Sequence, residues 1–247
     1  MNDTGGPLSR CPVAVSTFRA QVTKTGATKY MSHLDFIGTI EKSVRRAGLP
    51  VLLSAGFNPR PKMSFSPALP VGISSNSEYV DIVLREHTNP DEISSKLNDS
   101  LPQGMEIVSG EMLPPNVPAL SALIEAACYG IKFTSFKKTR LDCLLTAVSE
   151  ILKKDSIIIR RTTPKGIRRI DIRPLIYEMH GAMYDLTVVV RAIVSIGSKG
   201  NVRPFDLAKV IVESGGMEES DVFVNINRER LYRFCDDKLC LPWNTRS

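Results

Sequence analysis

Apolar and polar residues alternate over residues 13–24, the period of a half-buried strand. A helical period then takes over: Leu34, Ile37, Ile40, Val44 and Ala47 recur on one stripe, with Lys42, Arg45 and Arg46 off it. Both helix ends are punctuated. Ser32 and Asp35 stand three residues apart, a capping box in which hydroxyl and carboxylate satisfy backbone N–H groups that a first turn leaves unpaired. Gly48 and Pro50 stop the helix. Strands are predicted over residues 62–68 and 79–84, a second helix from Pro90 behind Asn89, and a strand over 105–112.

The same order returns further along. A strand is predicted over residues 125–134, then a helix capped by Thr139 and Asp142 that buries Leu141, Leu144, Leu145, Val148 and Leu152. Strands over 156–161 and 184–194, a helix from Pro204 to Gly215 and Gly216, and a strand over 222–227 complete it. From cap to proline the two copies span 58 and 65 positions, so they match in length without residue identity. The prediction is an α+β chain of two tandem ferredoxin-like (β-α-β-β-α-β) domains, residues 1–115 and 116–247, jointed at the Pro-rich residues 113–119.

A chain of 247 residues, 43% hydrophobic, can build real cores in one large or two ordinary domains. Its net charge of +6 is uneven: residues 1–115 hold 11 Lys and Arg against 11 Asp and Glu, leaving 21 against 15 in residues 116–247. A positive field on one domain favours an anionic partner such as RNA or an acidic protein, and also aids solubility. The N-terminus lacks the charged start and apolar stretch of a signal peptide. The most apolar run, residues 186–194, is interrupted by Arg191 and too short to span a bilayer. A soluble cytoplasmic chain without a membrane partner is expected.

The five cysteines, Cys11, Cys128, Cys143, Cys235 and Cys240, are scattered and form no C-x-x-C pair, so reduced thiols are expected. Cys143 is expected in the core. Cys235 and Cys240 would need further ligands from elsewhere to hold a metal. No metal and no cofactor are expected.

Tyr30-Met31-Ser32-His33-Leu34-Asp35, Arg46-Ala47-Gly48-Leu49-Pro50, Ser54-Ala55-Gly56-Phe57-Asn58-Pro59-Arg60-Pro61-Lys62, Leu69-Pro70-Val71-Gly72 and Glu78 resemble a radical-SAM-linked bacterial family of unknown function. Members of that family are found beside or fused to a radical S-adenosylmethionine protein with a B12-binding-type domain. Asp171-Ile172-Arg173-Pro174 fits the same family more loosely. The resemblance implies a radical S-adenosylmethionine protein as partner. It carries no reaction. A radical S-adenosylmethionine enzyme holds its iron–sulfur cluster on three closely spaced cysteines, and no C-x-x-x-C-x-x-C occurs here. The cluster would belong to the partner, leaving this chain an accessory role.

The loop over residues 54–66 interleaves Phe57 and Phe65 with Asn58, Arg60 and Lys62 among prolines and Gly56, a stiff display of two cations and a ring suited to phosphates and a stacked base. The plainer alternative is a rigid turn whose phenylalanines close the core. Arg45 and Arg46 suit a helix C-terminus whatever the function, and would join Arg60 and Lys62 in one patch if helix and loop lie together. Around the second-half hairpin, Arg160, Arg161, Arg168, Arg169 and Arg173 form a dense basic stretch with Lys137, Lys138, Lys153, Lys154 and Lys165, able to track a sugar–phosphate backbone or simply to face water.

His33 lies at a helix start between Ser32 and Asp35. A neutral imidazole there could take a proton from a ribose hydroxyl, as in a metal-independent endoribonuclease, and duplicated ferredoxin-like CRISPR-repeat endoribonucleases look similar at this coarse level. A packing or hydrogen-bonding role is the plainer reading. Asp35 and Glu78 could form an acid/base pair, but Asp35 is explained as a cap and Glu78 is expected to pair with a nearby cation. Walker, G-x-G-x-x-G, G-x-S-x-G and H-E-x-x-H patterns are missing. The expected function is an accessory protein that binds or positions the substrate, RNA, of a radical S-adenosylmethionine enzyme, with no catalysis of its own. The alternatives are an endoribonuclease using His33 and a protein-interaction module without nucleic-acid binding.

Overall fold

Strand β1, Ser16–Lys24, sends Phe18, Ala20 and Val22 to one face and Thr17, Arg19 and Gln21 to the other, and the rest of the N-terminal half assembles on that alternation. The computed structural model describes residues 16–55, 57–135, 141–164, 166–197 and 200–243. Cys11, residues 13–15, Gly56, Lys137, Lys138, Thr139 and Lys165 lie outside the described residues.

Helix α1, His33–Arg46, starts on the predicted capping box: Ser32 Oγ accepts from Asp35 N at 3.2 Å, and Ser32 N donates to Asp35 Oδ2 at 3.3 Å. It ends at Gly48, whose φ of 64° a side chain would resist. The stripe it buries is Phe36, Ile40, Ser43 and Val44. Leu34, expected on that stripe, is 78% exposed. Two residues along a helix turn the side chain by roughly 200°, so burying Phe36 turns Leu34 outward.

Strands β2, Met63–Phe65, and β3, Ser74–Leu84, follow, then α2, Pro90–Asn98, capped by Asn89, and β4, Ile107–Leu113. β1 pairs antiparallel with β3 and with β4, and β2 pairs antiparallel with β3, giving the order β4-β1-β3-β2. Phe36, Ile40 and Val44 of α1 and Ile93 and Leu97 of α2 close one core with Phe18, Ala20, Val22, Val80, Ile82, Leu84 and Ile107.

After the one-turn helix α3, Leu120–Leu123, the second half contributes β5, Ala126–Thr134; α4, Leu141–Lys153; β6, Ile158–Thr163; β7, Gly166–Asp171; β8, Ile176–Tyr184; β9, Thr187–Ser195; α5, Pro204–Ser214; β10, Phe223–Cys235; and β11, Lys238–Cys240. Its main strands lie in the order β10-β5-β9-β8, the positional order of the first half once the β6–β7 hairpin, a separate two-stranded sheet, is set aside. The expected strand over 156–161 is thus an arm of that hairpin, and β8 was not foreseen. In α4, Leu141, Leu144, Ala147, Val148 and Ile151 are buried while Cys143, expected in the core, is exposed. A residue two positions after Leu141 points away from the line that Leu141 and Leu144 bury.

The halves meet in one sheet. β3 and β10 run parallel for two residue pairs, Asn227 with Ser74 and Arg228 with Ser75, so the architecture is mixed α and β dominated by a single large sheet. Among the described residues no helix is long and apolar enough to cross a membrane.

Candidate functional site

Glu78 and Arg228 face each other at that junction, both almost wholly buried. Arg228 Nε donates to Glu78 Oε1 at 2.9 Å, its Nη2 donates to Glu78 Oε2, and its Nη1 donates to the Pro67 carbonyl at 3.1 Å. Ser66 Oγ donates to Glu78 Oε2 at 3.3 Å and accepts from Tyr79 N at 3.2 Å. Desolvation works against the charged guanidinium, yet Glu78 and Tyr129 outweigh it and leave the Arg228 pKa raised. This is where the expected cation partner of Glu78 comes from, the far end of the chain.

Lys24 and the motif residue His33 border the pair. Burial lowers the pKa of the Lys24 ammonium, with Glu78 opposing and Arg228 adding, and Lys24 Nζ donates to the Met31 carbonyl at 2.8 Å. His33, half-buried at the first position of α1, has its ring edge toward Phe65 at 6.4 Å. Its pKa is lowered by burial first, with Glu78 opposing and Arg228 and Lys24 adding. Burial thus favours the neutral imidazole, the form general-base work requires, but the carboxylate that acts on it is already committed to Arg228.

The loop between α1 and β2 is a projecting hairpin. Leu52 N donates to Val83 O at 2.7 Å, Lys62 N to Leu52 O at 2.7 Å and Ser54 N to Arg60 O at 2.8 Å, extending the ladder outward from the edge of β3. Phe57, Asn58, Arg60 and Lys62 are all exposed, Phe57 fully, so its ring does not close the core, whereas Phe65 packs against the first-half core beside Phe36. Lys62 also lines a cavity of about 340 Å³ with Thr17, Ser64, Asp81 and Asn116, on the sheet face turned away from the helices. Arg46, by contrast, reaches the Ser100 carbonyl at 2.7 Å within the helix layer, and Arg45 is exposed beside it. Arg46 and Lys62 lie on opposite layers.

On the second-half hairpin, Arg160 pairs across strands with Arg169, and Arg161 with Arg168. Arg160, Arg168 and Arg169 are exposed. Arg161 is not free, because its Nη2 and Nε donate to Asp206 Oδ2 at 2.6 and 3.1 Å and dock the hairpin on α5. Arg173 is also committed: Nη2 donates to Leu152 O at 2.8 Å, closing the last turn of α4, and Nη1 donates to Ile176 O at 3.2 Å. Asp171 Oδ1 accepts from Ile157 N at 2.8 Å and Arg173 N at 3.0 Å, which holds its pKa down. The Asp171-to-Pro174 motif is in this sense a fold-making turn.

A second buried pair escaped the sequence reading. Arg19 Nε and Nη2 meet Asp81 Oδ1 and Oδ2, each at 2.7 Å, and Arg19 Nη1 donates to the Pro242 carbonyl at 2.6 Å. A charge flanked by apolar residues, as Asp81 is by Val80 and Ile82 in β3, was the available signal. Among the described residues no group of three or more His, Cys, Asp or Glu side chains is placed to hold a metal ion.

A family model described as "Uncharacterized protein conserved in bacteria (DUF2344)" matches residues 17–204. None of the curated proteins matches the chain. Among solved structures, it is similar to a chain of a Cbf5-Nop10-Gar1 complex, with 13% identity and a TM-score of 0.49 over 89% of this chain and 50% of that one. A chain of the archaeal box H/ACA sRNP Nop10-Cbf5 complex shows 11% identity and a TM-score of 0.43 over 88% of this chain and 48% of that one. An unknown protein from Galdieria sulphuraria shows 12% identity and a TM-score of 0.25 over 87% and 98%. The chain spans about half the length of the first two. None of these likenesses carries an argument about function.

Proposed function

We propose, for a chain that belongs to the DUF2344 family of bacterial proteins, a binding role: it is a cytoplasmic accessory protein that holds an RNA substrate for a radical S-adenosylmethionine enzyme. The observation that carries this reading is the fully exposed Phe57 on a projecting, proline-stiffened hairpin with Asn58, Arg60 and Lys62 exposed beside it. A ring left wholly in water gains nothing for the fold, whereas a base stacked on it is worth about 1–3 kcal/mol, and neighbouring cations meet phosphates. Arg160, Arg168 and Arg169 offer a second cationic face. The radical partner rests on the resemblance of the motif from Tyr30 to Glu78. Each half is read as a ferredoxin-like unit, supported by the shared strand order.

The endoribonuclease reading draws less support, since His33 is half-buried and Glu78 beside it is bound to Arg228. Fluorescence anisotropy of the full chain with a labelled single-stranded RNA tests the proposal. Phe57→Ala combined with Arg60→Ala and Lys62→Ala is expected to weaken binding about tenfold or more. Undiminished binding would remove the hairpin from the interface, and failure of the native chain to bind any RNA would turn the reading toward a protein-interaction module. RNA cleavage that is lost in His33→Ala would restore the enzyme.

A further inference from the structure

β10 and β11 close the chain as a tight hairpin. Its turn residues Asp236 and Asp237 have φ of 48° and 61°, the left-handed pair that a two-residue hairpin requires. Arg233 pairs with Cys240 and Cys235 with Lys238. Cys235 and Arg233 share a face because they are two residues apart in one strand, so Cys235 and Cys240 are diagonal neighbours on that face. Each thiol is near enough to perturb the other, and both residues are half-exposed. The other described cysteines differ: Cys128 is buried, its thiol pushed up to about 11, and Cys143 stands on α4.

We propose that Cys235 and Cys240 are a redox-modification site that closes reversibly into an internal disulfide. The oxidant is a low-molecular-weight disulfide such as oxidised glutathione. One thiol loses its proton and attacks a sulfur of that disulfide, releasing one small thiol and leaving a mixed disulfide; the other thiolate then displaces the second small thiol. Two protein thiols become one S–S bond, and one small disulfide becomes two thiols. In a reducing compartment such a pair is a transient, sensing bond.

The hairpin is placed where the bond would act at a distance. Phe234, on its opposite face, stands edge-on to Tyr177 at 5.5 Å and ties it to the second half. Two residues beyond Cys240, the chain crosses to the other half as a strap: the Pro242 carbonyl accepts from Arg19 Nη1 at 2.6 Å, and Trp243 stands edge-on to Tyr79 at 5.0 Å. Fixing the register of β11 fixes the root of that strap, over the sheet face that carries Arg19, Tyr79 and Asp81.

The test incubates the full chain with oxidised glutathione and reads intact mass and non-reduced peptide maps. The expected product has lost two hydrogens, joins Cys235 to Cys240, and reverts with dithiothreitol. Cys235→Ser is expected to stop at a lasting glutathione adduct on Cys240, while Cys11→Ser, Cys128→Ser and Cys143→Ser together leave the internal bond intact. Separate adducts on both residues of the native chain, or no reaction at either, would overturn the site. Hydrogen exchange at the Leu241 and Trp243 amides is expected to slow about tenfold on oxidation. Equal rates would overturn the link to the strap.

Discussion

Glu78 receives both arms of the Arg228 guanidinium across a separation of 150 residues, and the two side chains are 4% and 1% exposed. The pair sits where the β3 and β10 strands run side by side for only two residues. A ladder that short would hold two halves loosely by itself. The buried ion pair, with Ser66 and the Pro67 carbonyl completing its hydrogen bonds, fixes their register.

Arg228→Met strands a buried carboxylate and is expected to cost about 3–5 kcal/mol in urea unfolding, and Glu78→Gln, which strands the cation, a comparable amount. The double variant is expected to recover much of that loss, because no uncompensated charge remains. Losses that simply add would show that the two side chains are not coupled.

His33 makes stability depend on pH in a stated direction. Its folded pKa lies below the ordinary histidine value, through burial first and then through Arg228 and Lys24, with Glu78 opposing. The unfolded chain therefore binds more protons near that value. Stability is present above it, begins to fall as pH drops through it, and is fully lost below the lowered pKa. Melting temperatures taken between about pH 8 and about pH 5 are expected to fall less in His33→Gln than in the native chain. Equal slopes would locate the acid sensitivity elsewhere.

Local signals were legible wherever they were self-contained. The Ser32 and Asp35 box, Asn89 before Pro90, Pro204 opening α5 and Gly48 closing α1 act within a few residues, and each stands where the sequence puts it. β8 was missed because its pattern is broken by a bulge between Ile176 and Glu178, and its far end at His180 to Tyr184 is exposed and so carries no alternation. Leu34 misled because a leucine at helical spacing looks like core whether or not a neighbour covers it. The partner of Glu78 was out of reach, since only the assembled sheet brings residue 228 beside it. At the candidate surface, residue types were readable but their commitments were not: Arg161 and Arg173 look like Arg160 and Arg169 until Asp206 and the Leu152 carbonyl are seen to hold them.

That distinction is measurable. Arg161→Ala breaks a partly buried pair and is expected to destabilise the chain by about 1–3 kcal/mol. Arg160→Ala and Arg169→Ala are expected to stay within about 0.5 kcal/mol in stability. Their effect is expected in RNA affinity, with a salt dependence that grows shallower for each phosphate the variant no longer neutralises. Unfolding curves and anisotropy titrations at two salt concentrations separate the two kinds of arginine, and an Arg160→Ala chain that binds and unfolds like the native one would leave that residue merely solvated.

Phe57 offers the sharpest separation of fold from function. Phe36 is 3% exposed in the core of the first half, and Phe36→Ala is expected to cost about 3–5 kcal/mol. Phe57 touches no core, so Phe57→Ala is expected to leave the unfolding midpoint nearly unchanged, within about 0.5 kcal/mol. If the ring is held out for a partner, the same variant weakens RNA binding while Phe57→Trp, which keeps a stacking face, retains it. A chain that loses stability at Phe57→Ala would mean the ring packs in solution after all. The hairpin would then be a rigid turn, and the case for RNA binding would pass to the exposed arginines of β6 and β7.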